Sequence, residues 1–407
     1  MRIALLCTST TLHRHGGTEI QAETLARLAA ARGHSVFLLT TAHPDGTASE
    51  RKDGYTVVYL EGTDYKMSRS GAAAWWKASA ARTARLCEDE RIDVVWAENF
   101  AGLAYAAIPR PARRPVISVV NGLAVRGEIA SNFAGVSSAG ELFYFLTRYA
   151  AQTLFYYIPW FRAMVRDSDL LVGVSRETAQ ALAEEFPGSG KKTRVILNPV
   201  NTALFRPDPG LREKARSELG LKSGSPVLLM SGVLHKQKGV HIGLSAFGAL
   251  SREFPEARLL IVGDGPQLAE LKAQAAGAGL DGKVLFCGPR PNSGMPFYYN
   301  AADVYLNPTL RQEGLGLVTV EALACGLPAV VSKIGGTGST IDDGVSGFFV
   351  KPGDARAIAE KTAAILNAPD LHASMRAAAR AKALKDFSEA NIDQYIGISK
   401  ELAGSGG

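Results

Sequence analysis

The feature that most limits how this chain can fold is an alternation of short apolar runs with helix-patterned segments. Residues 3–7, 116–120 and 170–174 form nearly continuous apolar runs, and residues 72–90 have helical spacing. Strands that are buried on both faces have continuous rather than alternating apolar sequences. Strands that alternate with helices build parallel sheets with helices on both faces. The sequence therefore predicts an α/β fold of the Rossmann-like type.

The alternation stops between residues 198 and 210 and then begins again. This segment contains Asn198, Pro199, Pro207 and Gly210, residue types that favour turns. A chain of 407 residues is long enough for two domains. We therefore expect two Rossmann-like domains with parallel sheets facing across a cleft, and a ligand at the carboxyl ends of the strands.

Net charge and cysteine content argue against several classes of protein. The formal net charge of +6 is small for this length, and no basic block or groove-reading motif indicates a nucleic-acid partner. The four cysteines are far apart and form no C-x-x-C pair. This spacing argues against zinc sites and a disulfide scaffold, and it favours a reducing cytoplasm. The apolar run at residues 3–7 is too short for a signal peptide.

The most informative motif places two glutamates, Glu313 and Glu321, eight residues apart. We predict a helix over residues 313–325, which brings both carboxylates to roughly one face, since eight steps of 100° end about 80° past two turns. The first backbone N–H groups, from Gly314 to Leu317, have no partner inside such a helix and form an anion site. Glu321 can then accept hydrogen bonds from ribose hydroxyls. The alternative is a capped helix with a surface glutamate.

Two further segments follow predicted strands, where parallel sheets bind ligands. Gly16 and Gly17 lie between the first strand and the first helix, and paired glycines let a backbone approach a phosphate or sugar closely. Lys236 and Lys238 follow the strand at residues 227–231, where a diphosphate needs a cation. The alternatives are a tight turn for the glycines and a solvated loop lysine, which suits Lys236 better than Lys238.

One segment has a D-x-D pattern, which is a known metal-binding motif. Asp167 and Asp169 form this pattern, but they precede the strand at residues 170–174 and so lie at the amino end of the sheet. Ligands bind at the opposite end of parallel strands. We therefore interpret the two aspartates as polar residues at a strand entry and predict no metal site.

Residues 143–161 are rich in aromatic side chains. Arg148, Gln152, Pro159 and Arg162 interrupt the apolar stretch that contains them, which argues against a membrane-spanning helix. We favour a place in the core and in the lining of an acceptor pocket. The alternative is contact with a membrane surface and access to a lipid-linked acceptor.

Taken in order, these segments resemble the family-4 type of retaining glycosyltransferases with the GT-B fold. The resemblance covers nearly the whole chain and rests on segments 16–19, 32–36, 174–175, 198–201, 238–239, 262–266, 302–304, 313–321, 335–336 and 343–347. It implies an acceptor-binding domain at residues 1–200 and a nucleotide-sugar-binding domain at residues 201–386. It also implies a C-terminal helix at residues 387–403 that crosses back to the first domain.

The resemblance implies roles for individual residues. Lys238 binds the donor diphosphate, Glu313 contacts donor-sugar hydroxyls, and Glu321 holds the ribose. Arg290 lies in the loop whose main chain contacts the base, and Asn121 stands where the family often has a histidine near the donor sugar. Lys238, Glu313 and Asn121 are the expected catalytic residues. The expected donor-binding residues are Gly16, Gly17, Lys238, Gly263, Arg290, Glu313, Gly314, Leu315, Gly316, Leu317 and Glu321.

The chain departs from the family pattern at three positions. Asn121 can form a hydrogen bond with a sugar hydroxyl but carries no charge. Val233 replaces the arginine that usually precedes the phosphate lysine by five residues, and the candidates to replace its charge are His235, Lys236 and an arginine elsewhere. Ser339 replaces a glutamate.

The resemblance implies transfer of a sugar from a nucleotide diphosphate sugar to an acceptor hydroxyl with retention of configuration. The leaving diphosphate takes the acceptor proton, the new bond forms on the same face, and Lys238 and the helix N-terminus stabilise the developing charge without a metal. We expect no cofactor, a uridine rather than a guanosine diphosphate sugar, and a small-molecule, glycan or lipid-linked acceptor. A cytoplasmic location with peripheral membrane contact fits the last of these. A 2-epimerase, a phosphorylase, or a non-catalytic two-domain sugar-binding protein remain as alternatives.

Overall fold

Each half of the alternating pattern folds into a β-sheet covered by helices, in a computed structural model that describes residues 1–14, 16–66, 68–134, 136 and 138–404. The chain divides into two units by its internal contacts. Unit 1 contains Met1–Arg126, Leu146–Pro199 and Glu389–Gly407, and unit 2 contains Gly127–Phe145 and Val200–Ser388. The predicted α/β class with two parallel-sheet domains is confirmed. The domain boundaries at residues 200 and 386 stay a prediction.

Unit 1 is built on an eight-stranded sheet. Its strands are β1 (Arg2–Leu6), β2 (Ser35–Thr41), β3 (Ser49–Lys52), β4 (Tyr55–Leu60), β5 (Val94–Glu98), β6 (Val116–Val120), β7 (Leu170–Gly173) and β8 (Thr193–Val195). Their order is β3-β4-β2-β1-β5-β6-β7-β8. Every neighbouring pair is parallel except β3 with β4.

Unit 2 is built on a six-stranded, fully parallel sheet. Its strands are β9 (Val227–Ser231), β10 (Arg258–Val262), β11 (Val284–Gly288), β12 (Val304–Asn307), β13 (Ala329–Ser332) and β14 (Gly347–Val350). Their order is β11-β10-β9-β12-β13-β14. Strands β9, β10, β12 and β13 are almost completely buried, which explains their continuous apolar sequences.

The helices lie between successive strands or extend the connections. They are α1 (Gly17–Ala31), α2 (Arg69–Asp89), α3 (Leu103–Ala106), α4 (Val125–Phe133), α5 (Ala139–Tyr144), α6 (Ala150–Gln152), α7 (Ile158–Asp167), α8 (Arg176–Glu185), α9 (Pro209–Glu218), α10 (Val240–Glu253), α11 (Leu268–Gly277), α12 (Met295–Ala301), α13 (Leu317–Ala324), α14 (Ala355–Leu366), α15 (Pro369–Asp386) and α16 (Asn391–Gly404). Two π-helical turns, Phe145–Tyr149 and Thr153–Tyr157, separate α5, α6 and α7.

The centre of the unit 1 sheet determines where polar side chains gather. Strands β1, β5 and β6 are adjacent and parallel, with Leu6 opposite Ala97 and Glu98 opposite Val119. Their carboxyl ends therefore lie side by side. The residues at and just after these ends, including Glu98 and Asn121, are close neighbours for this reason.

The aromatic stretch is only partly in the core. Tyr149 and Phe161 are buried as expected. The expected place in the core is wrong for Phe143, Tyr144 and Phe155, which are more than half exposed, and Leu146 and Leu154 of the same stretch are exposed as well. Two π-helical turns interrupt this stretch, so residues do not follow the regular 3.6-residue spacing that a core-facing stripe requires. Among the described residues, no helix is long and apolar enough to cross a bilayer.

Helix α16 belongs to unit 1, although it follows all of unit 2 in the sequence. The indole Nε1 of Trp96 in β5 donates a hydrogen bond to Ser399 Oγ at 2.9 Å. Ile392 and Tyr395 are fully buried. The helix therefore supplies part of the unit 1 core.

Candidate active site

A lysine and a glutamate meet at the carboxyl edge of the unit 2 sheet. Lys238 lies in a short 3₁₀ turn, Lys236–Lys238, between β9 and α10. Its ammonium Nζ is 2.5 Å from Glu313 Oε1, and Thr309 Oγ1 lies 3.3 Å from the same oxygen. The Glu313 side chain is 15% exposed and that of Lys238 is 34% exposed, so the pair is partly open to solvent.

The glycine after Lys238 fixes this geometry. Gly239 has φ +67°, a left-handed conformation that favours glycine. A Cβ at this position would overlap the backbone carbonyl oxygen of Pro308. The turn thus packs directly against the chain that follows β12, and Gln237 O accepts hydrogen bonds from the N–H groups of Leu310 and Arg311.

The electrostatics of the pair favour an ionised Glu313. Burial by itself raises the pKa of this carboxyl, but the Lys238 ammonium, its hydrogen bond and the Arg311 guanidinium outweigh burial and lower the pKa below its ordinary value. The two neighbouring cations, Lys238 and Arg311, therefore favour the ionised form of Glu313.

The predicted helix over residues 313–325 is wrong at its start, because α13 begins at Leu317. Glu313 lies four residues earlier in a loop, where Gly335 forms a parallel bridge with it and Gly336 N–H donates to its carbonyl oxygen at 2.7 Å. Gly316 has φ +92° and precedes the helix. Glu313 and Glu321 therefore do not share a helix face, and the loop geometry rather than helical spacing positions Glu313.

The first turn of α13 has the features expected of an anion site. Leu317 and Val318 lie at the start of the helix, where N–H groups have no intrahelical acceptor, whereas the N–H groups of Thr319 and Val320 donate to the Gly316 carbonyl oxygen. Leu315 is buried and Gly316 is half-buried, so the chain approaches the helix start tightly. Since the positive end of the helix dipole lies here, the segment from Gly314 to Leu317 favours a bound anion.

Glu321 is buried within α13 and has two side-chain donors. Its Oε1 accepts a hydrogen bond from Asn292 Nδ2 at 2.8 Å, and its Oε2 accepts one from Tyr299 Oη at 2.9 Å. The side chain is 5% exposed. Burial raises the pKa of this carboxyl to about 7, and the two hydrogen bonds oppose that rise.

Sequence reasoning missed Asn292 and Tyr299. Asn292 follows the loop that contains Arg290, so this loop and Glu321 are directly connected. Tyr299 lies in α12, is fully buried, and is within 3.3 Å of Ser231 Oγ at the end of β9. An asparagine three residues after a proline turn and an aromatic residue in a helix are both common, so nothing in the sequence pointed to them.

Arg311 is a further residue that the sequence analysis did not identify. Its guanidinium is 40% exposed and lies 3.7 Å from Glu128 in α4. The neighbouring Gln312 N–H donates to Ser131 Oγ at 3.0 Å, also in α4. Helix α4 thus packs on the segment directly before Glu313. Arg311 adds a second positive charge close to the Lys238–Glu313 pair.

The other predicted residues of unit 2 either have a structural role or are exposed to solvent. Gly263 has φ +142°, and a Cβ there would overlap the carbonyl oxygen of Gly232, so the ends of β9 and β10 require glycine for close packing. Arg290 is exposed, with its guanidinium carbon 5.7 Å from the ring centre of Tyr298. Val233 is 51% exposed. Its aliphatic side chain provides no charge at this position.

Three predicted residues belong to unit 1. Gly16 immediately precedes α1, and Gly17 is the first residue of that helix. A Cβ at Gly16 would overlap the Glu19 carboxylate, which accepts hydrogen bonds from Ser9 Oγ at 2.5 Å and Arg14 Nε at 2.7 Å. The glycine is therefore required locally, next to a buried acid.

Asn121 follows β6 and is held by the end of β5. Its backbone N–H donates to Asn99 Oδ1 at 3.0 Å, and its Nδ2 donates to Glu98 Oε2. Glu98 is 4% exposed, and burial raises the pKa of its carboxyl to about 8. Sequence analysis missed Glu98, although a charged residue at the end of an otherwise apolar strand was a visible signal.

The D-x-D aspartates are engaged by arginines. Asp167 is paired with Arg166 through two bonds of 2.7 Å, and Asp169 accepts from Arg113 at 2.5 Å and from Arg110 at 3.2 Å. Both aspartates precede β7 at the amino end of the sheet. Within the described part of the chain, no group of three acidic, histidine or cysteine side chains has a metal-binding arrangement.

Two family models together match most of the chain. The model described as "Glycosyltransferase Family 4" matches residues 15–204, and the model described as "Glycosyl transferases group 1" matches residues 212–382. The first covers the strands and helices that lead to Asn121 and beyond. The second covers Lys238, Glu313 and Glu321.

Curated relatives match over a little more than half of this chain. The GDP-mannose-dependent alpha-(1-6)-phosphatidylinositol monomannoside mannosyltransferase of Mycolicibacterium smegmatis is 34% identical over 56% of this chain and 60% of its own length. The D-inositol 3-phosphate glycosyltransferase of Acidothermus cellulolyticus is 31% identical over 58% of this chain and 54% of its own length. The chain thus spans between about half and three fifths of the relatives it matches.

Solved structures match over the full length and show the same fold. Sucrose-phosphate synthase from Thermosynechococcus elongatus has a TM-score of 0.80 at 22% identity, and 99% of each chain is covered. Anabaena HepE in complex with UDP-glucose has a TM-score of 0.75 at 23% identity, covering 98% of this chain and 99% of HepE. From the two family models and these folds, the chain belongs to the family-4 type of glycosyltransferases with the GT-B fold.

Proposed function

We propose that this protein is a retaining glycosyltransferase that transfers a sugar from a nucleoside diphosphate sugar to an acceptor hydroxyl. The observation that carries the proposal is the Lys238–Glu313 ion pair next to the N-terminus of α13. Here a cation, an oriented carboxylate and a row of backbone N–H groups are available within one loop cluster. A donor with an anionic diphosphate and a polyhydroxylated sugar has the matching chemistry.

The leaving diphosphate is stabilised by positive charge that the chain already holds in place. Lys238 provides one cation and the first turn of α13 provides backbone donors. Arg311 provides the second cation in place of the arginine that Val233 replaces. A guanidinium binds two phosphate oxygens at once, and the ion pair that Arg311 forms with Glu128 is long, at 3.7 Å.

The sugar and the ribose are held by the two glutamates. Glu313 is kept ionised by Lys238 and accepts hydrogen bonds from donor-sugar hydroxyls. Glu321 accepts from the ribose, in an orientation fixed by Tyr299. As the bond to the diphosphate breaks, a leaving oxygen takes the acceptor proton and the acceptor oxygen bonds to the same face of the anomeric carbon. The reaction then needs neither a metal nor a cofactor.

The proposal is tested by turnover of nucleotide sugars. We expect the purified protein to release a nucleoside diphosphate from a UDP- or GDP-sugar in the presence of an acceptor, and proton NMR to show the donor's anomeric configuration in the product. Activity should persist in EDTA. Inversion, or activity lost in chelator and restored by magnesium, would contradict the proposal. The proposed uridine preference is tested against guanosine by the thermal shift that each diphosphate produces.

Charge at Lys238 is tested separately. Lys238→Met should lower kcat about 100-fold or more, because a preorganised charge opposite the leaving group is lost. Arg311→Gln should lower it less and should raise KM for the donor. Lys272→Met, in α11 of the same unit, is the control and should leave both parameters unchanged. Equal effects of all three variants would rule out a specific role for Lys238.

We further propose a lipid-linked acceptor that the protein reaches by peripheral contact with a membrane from the cytoplasmic side. Leu146, Leu154 and Phe155 support this, because they are 61%, 58% and 68% exposed on neighbouring helical turns. The mycobacterial relative is named for a phosphatidylinositol monomannoside acceptor. Sedimentation with vesicles of phosphatidylcholine and phosphatidylinositol tests this, and the triple serine variant of the three residues should remain in the supernatant.

A further inference from the structure

Asn121 is tied to the end of the neighbouring strand at two points. Its backbone N–H donates to Asn99 Oδ1 at 3.0 Å, and its side-chain Nδ2 donates to Glu98 Oε2. Asn99 has φ +49°, so the chain bends immediately after Glu98. Both the position and the rotation of the Asn121 amide are therefore set by residues 98 and 99.

This arrangement determines which atom of the Asn121 side-chain amide is available to a ligand. An asparagine side chain has two N–H donors on Nδ2 and one acceptor oxygen, Oδ1. Nδ2 is used by Glu98, whereas Oδ1 forms no hydrogen bond with any residue of the described chain. Asn121 is half-buried at the carboxyl end of β6, the edge of a parallel sheet at which ligands bind. It therefore offers a hydrogen-bond acceptor at that edge.

Glu98 lowers the stability of the folded state at this position. It is 4% exposed, and its Oε1 is buried without a hydrogen-bond partner among the described residues. A buried carboxyl with an unsatisfied oxygen destabilises the folded state. Oε2 can accept from Asn121 whether the carboxyl is neutral or ionised, since a neutral carboxyl keeps a carbonyl oxygen. A structural role alone would be met at lower cost by an apolar side chain.

We propose that Glu98 is a positioning residue, which holds the Asn121 amide so that Oδ1 accepts a hydrogen bond from a hydroxyl of the bound substrate. The inference rests on the proposed glycosyltransferase function, and it assigns Asn121 the role of an acceptor rather than a donor of a hydrogen bond. Substrates with a free hydroxyl at the contacted position are favoured, and deoxy or fluoro analogues at that position are discriminated against.

A measurement that needs no activity tests the hydrogen bond itself. In protein labelled with ¹⁵N-asparagine, the side-chain amide resonance that is missing from Asn121→Ser identifies Asn121. One of its two protons should lie downfield of most other asparagine amides because a carboxyl accepts it. Glu98→Met should remove this displacement and Glu98→Gln should keep it. An undisplaced resonance in the wild-type protein overturns the proposal even where Glu98→Met fails to fold.

Kinetics test the consequence for the substrate. Glu98→Met should lower kcat about 10- to 100-fold, as a misplaced contact does, and leave the affinity for nucleoside diphosphate within about twofold. Glu98→Gln should recover most of the loss. In an Asn121→Ser background Glu98→Met should have no further effect, because both changes remove one contact. A further independent loss would contradict the proposal. Glu185→Met serves as the control, because the Glu185 carboxylate accepts hydrogen bonds from backbone N–H groups of Val125 and Arg126 and not from Asn121.

The two arms separate this proposal from the proposed function. If the wild-type protein turns over no nucleotide sugar, the glycosyltransferase function fails, and the NMR arm still decides whether Glu98 orients Asn121. If turnover is normal and Glu98→Met is as active as the wild type, the positioning role fails and the function stands.

Discussion

At the scale of single residues, Glu321 is held in a defined orientation before any ligand arrives. Asn292 and Tyr299 each donate to one carboxylate oxygen, and the side chain is buried. Such preorganisation reduces the loss of side-chain conformational entropy on binding. The arrangement also leaves lone pairs on both oxygens, because a carboxylate accepts about four hydrogen bonds.

Glu321→Gln should weaken the binding of nucleoside diphosphates. A ribose hydroxyl pair loses a charged acceptor, which is worth about 1.5–3 kcal/mol. This corresponds to a rise in Kd of roughly tenfold to 150-fold, measured by calorimetry with UDP and GDP. Glu270→Gln, an exposed glutamate in α11, is the control and should bind as the wild type does. Wild-type affinity in Glu321→Gln would remove this residue from the donor site.

Glu98 should make stability depend on pH in a defined direction. Its pKa in the folded protein is about 8, above the ordinary value of 4.5, so the folded state holds the proton more tightly. Stability therefore falls as pH rises from about 4.5 to about 8, by up to about 1.4 kcal/mol per pH unit. The difference between the melting temperatures of wild type and Glu98→Gln should change across this range. A difference in melting temperature that stays constant over this pH range would contradict the raised pKa of Glu98. The exposed Glu218→Gln variant is the control.

The sequence singled out Lys238, Glu313 and Glu321 as candidate site residues, but it did not single out the residues that contact them. Motif residues are recognisable because their types are unusual at those places. Tyr299 acts through a hydrogen bond that only the packing of α12 against α13 creates. Contacts of this kind join residues far apart in sequence, and no local pattern encodes them.

At the scale of elements, the start of α13 shows where helical periodicity misleads. Glu313 and Glu321 have a spacing that fits one helix face, yet Gly316 takes a left-handed conformation and the helix begins at Leu317. Glycine tolerates that conformation at low cost, which ends regular structure on its N-terminal side. The strands predicted at residues 3–7, 116–120, 170–174 and 227–231, in contrast, agree within one residue with β1, β6, β7 and β9, because a continuous apolar run bounded by turn residues is typical of a buried strand. Strands β3, β4 and β8 were not predicted.

The close approach of the chain segments that follow β9 and β10 requires a glycine at position 263. Gly263→Ala should destabilise the protein by at least about 2 kcal/mol, because φ is +142° and the new Cβ overlaps the Gly232 carbonyl. Gly277→Ala is the matched control, since nothing lies near its Cβ position at the end of α11. It should leave the thermal midpoint unchanged or raise it slightly. Equal midpoints for the two variants would contradict this account of the strand ends.

At the scale of the whole molecule, the two-unit organisation followed from the repeated pattern, but its interleaving did not. Residues 127–145 lie in the first half of the sequence and belong to unit 2 through contacts such as Gln312 N–H with Ser131 Oγ. A turn-rich segment marks where one pattern stops. That segment does not indicate that the helices within residues 127–145 belong to unit 2.

Removal of residues 389–407 should affect unit 1 selectively. The truncated protein loses the bond from Trp96 to Ser399, the Arg32–Asp393 ion pair at 2.8 Å and the buried side chain of Tyr395. We expect unit 1 to melt at a lower temperature while unit 2 still binds nucleoside diphosphate. Calorimetric scans with and without UDP distinguish the units. An unchanged melting temperature of unit 1 after this deletion would contradict the role of α16.

The placement of α16 also sets an order of events during translation. All residues of unit 2 have been synthesised once Ser388 has been added to the chain, whereas unit 1 still lacks Glu389 and the residues after it. The half of the protein that is made first is therefore the last to be finished. Until then the face of β5 that packs against α16 leaves Trp96 exposed. A nascent chain therefore presents an apolar surface to chaperones while the sheet of unit 2 is being synthesised.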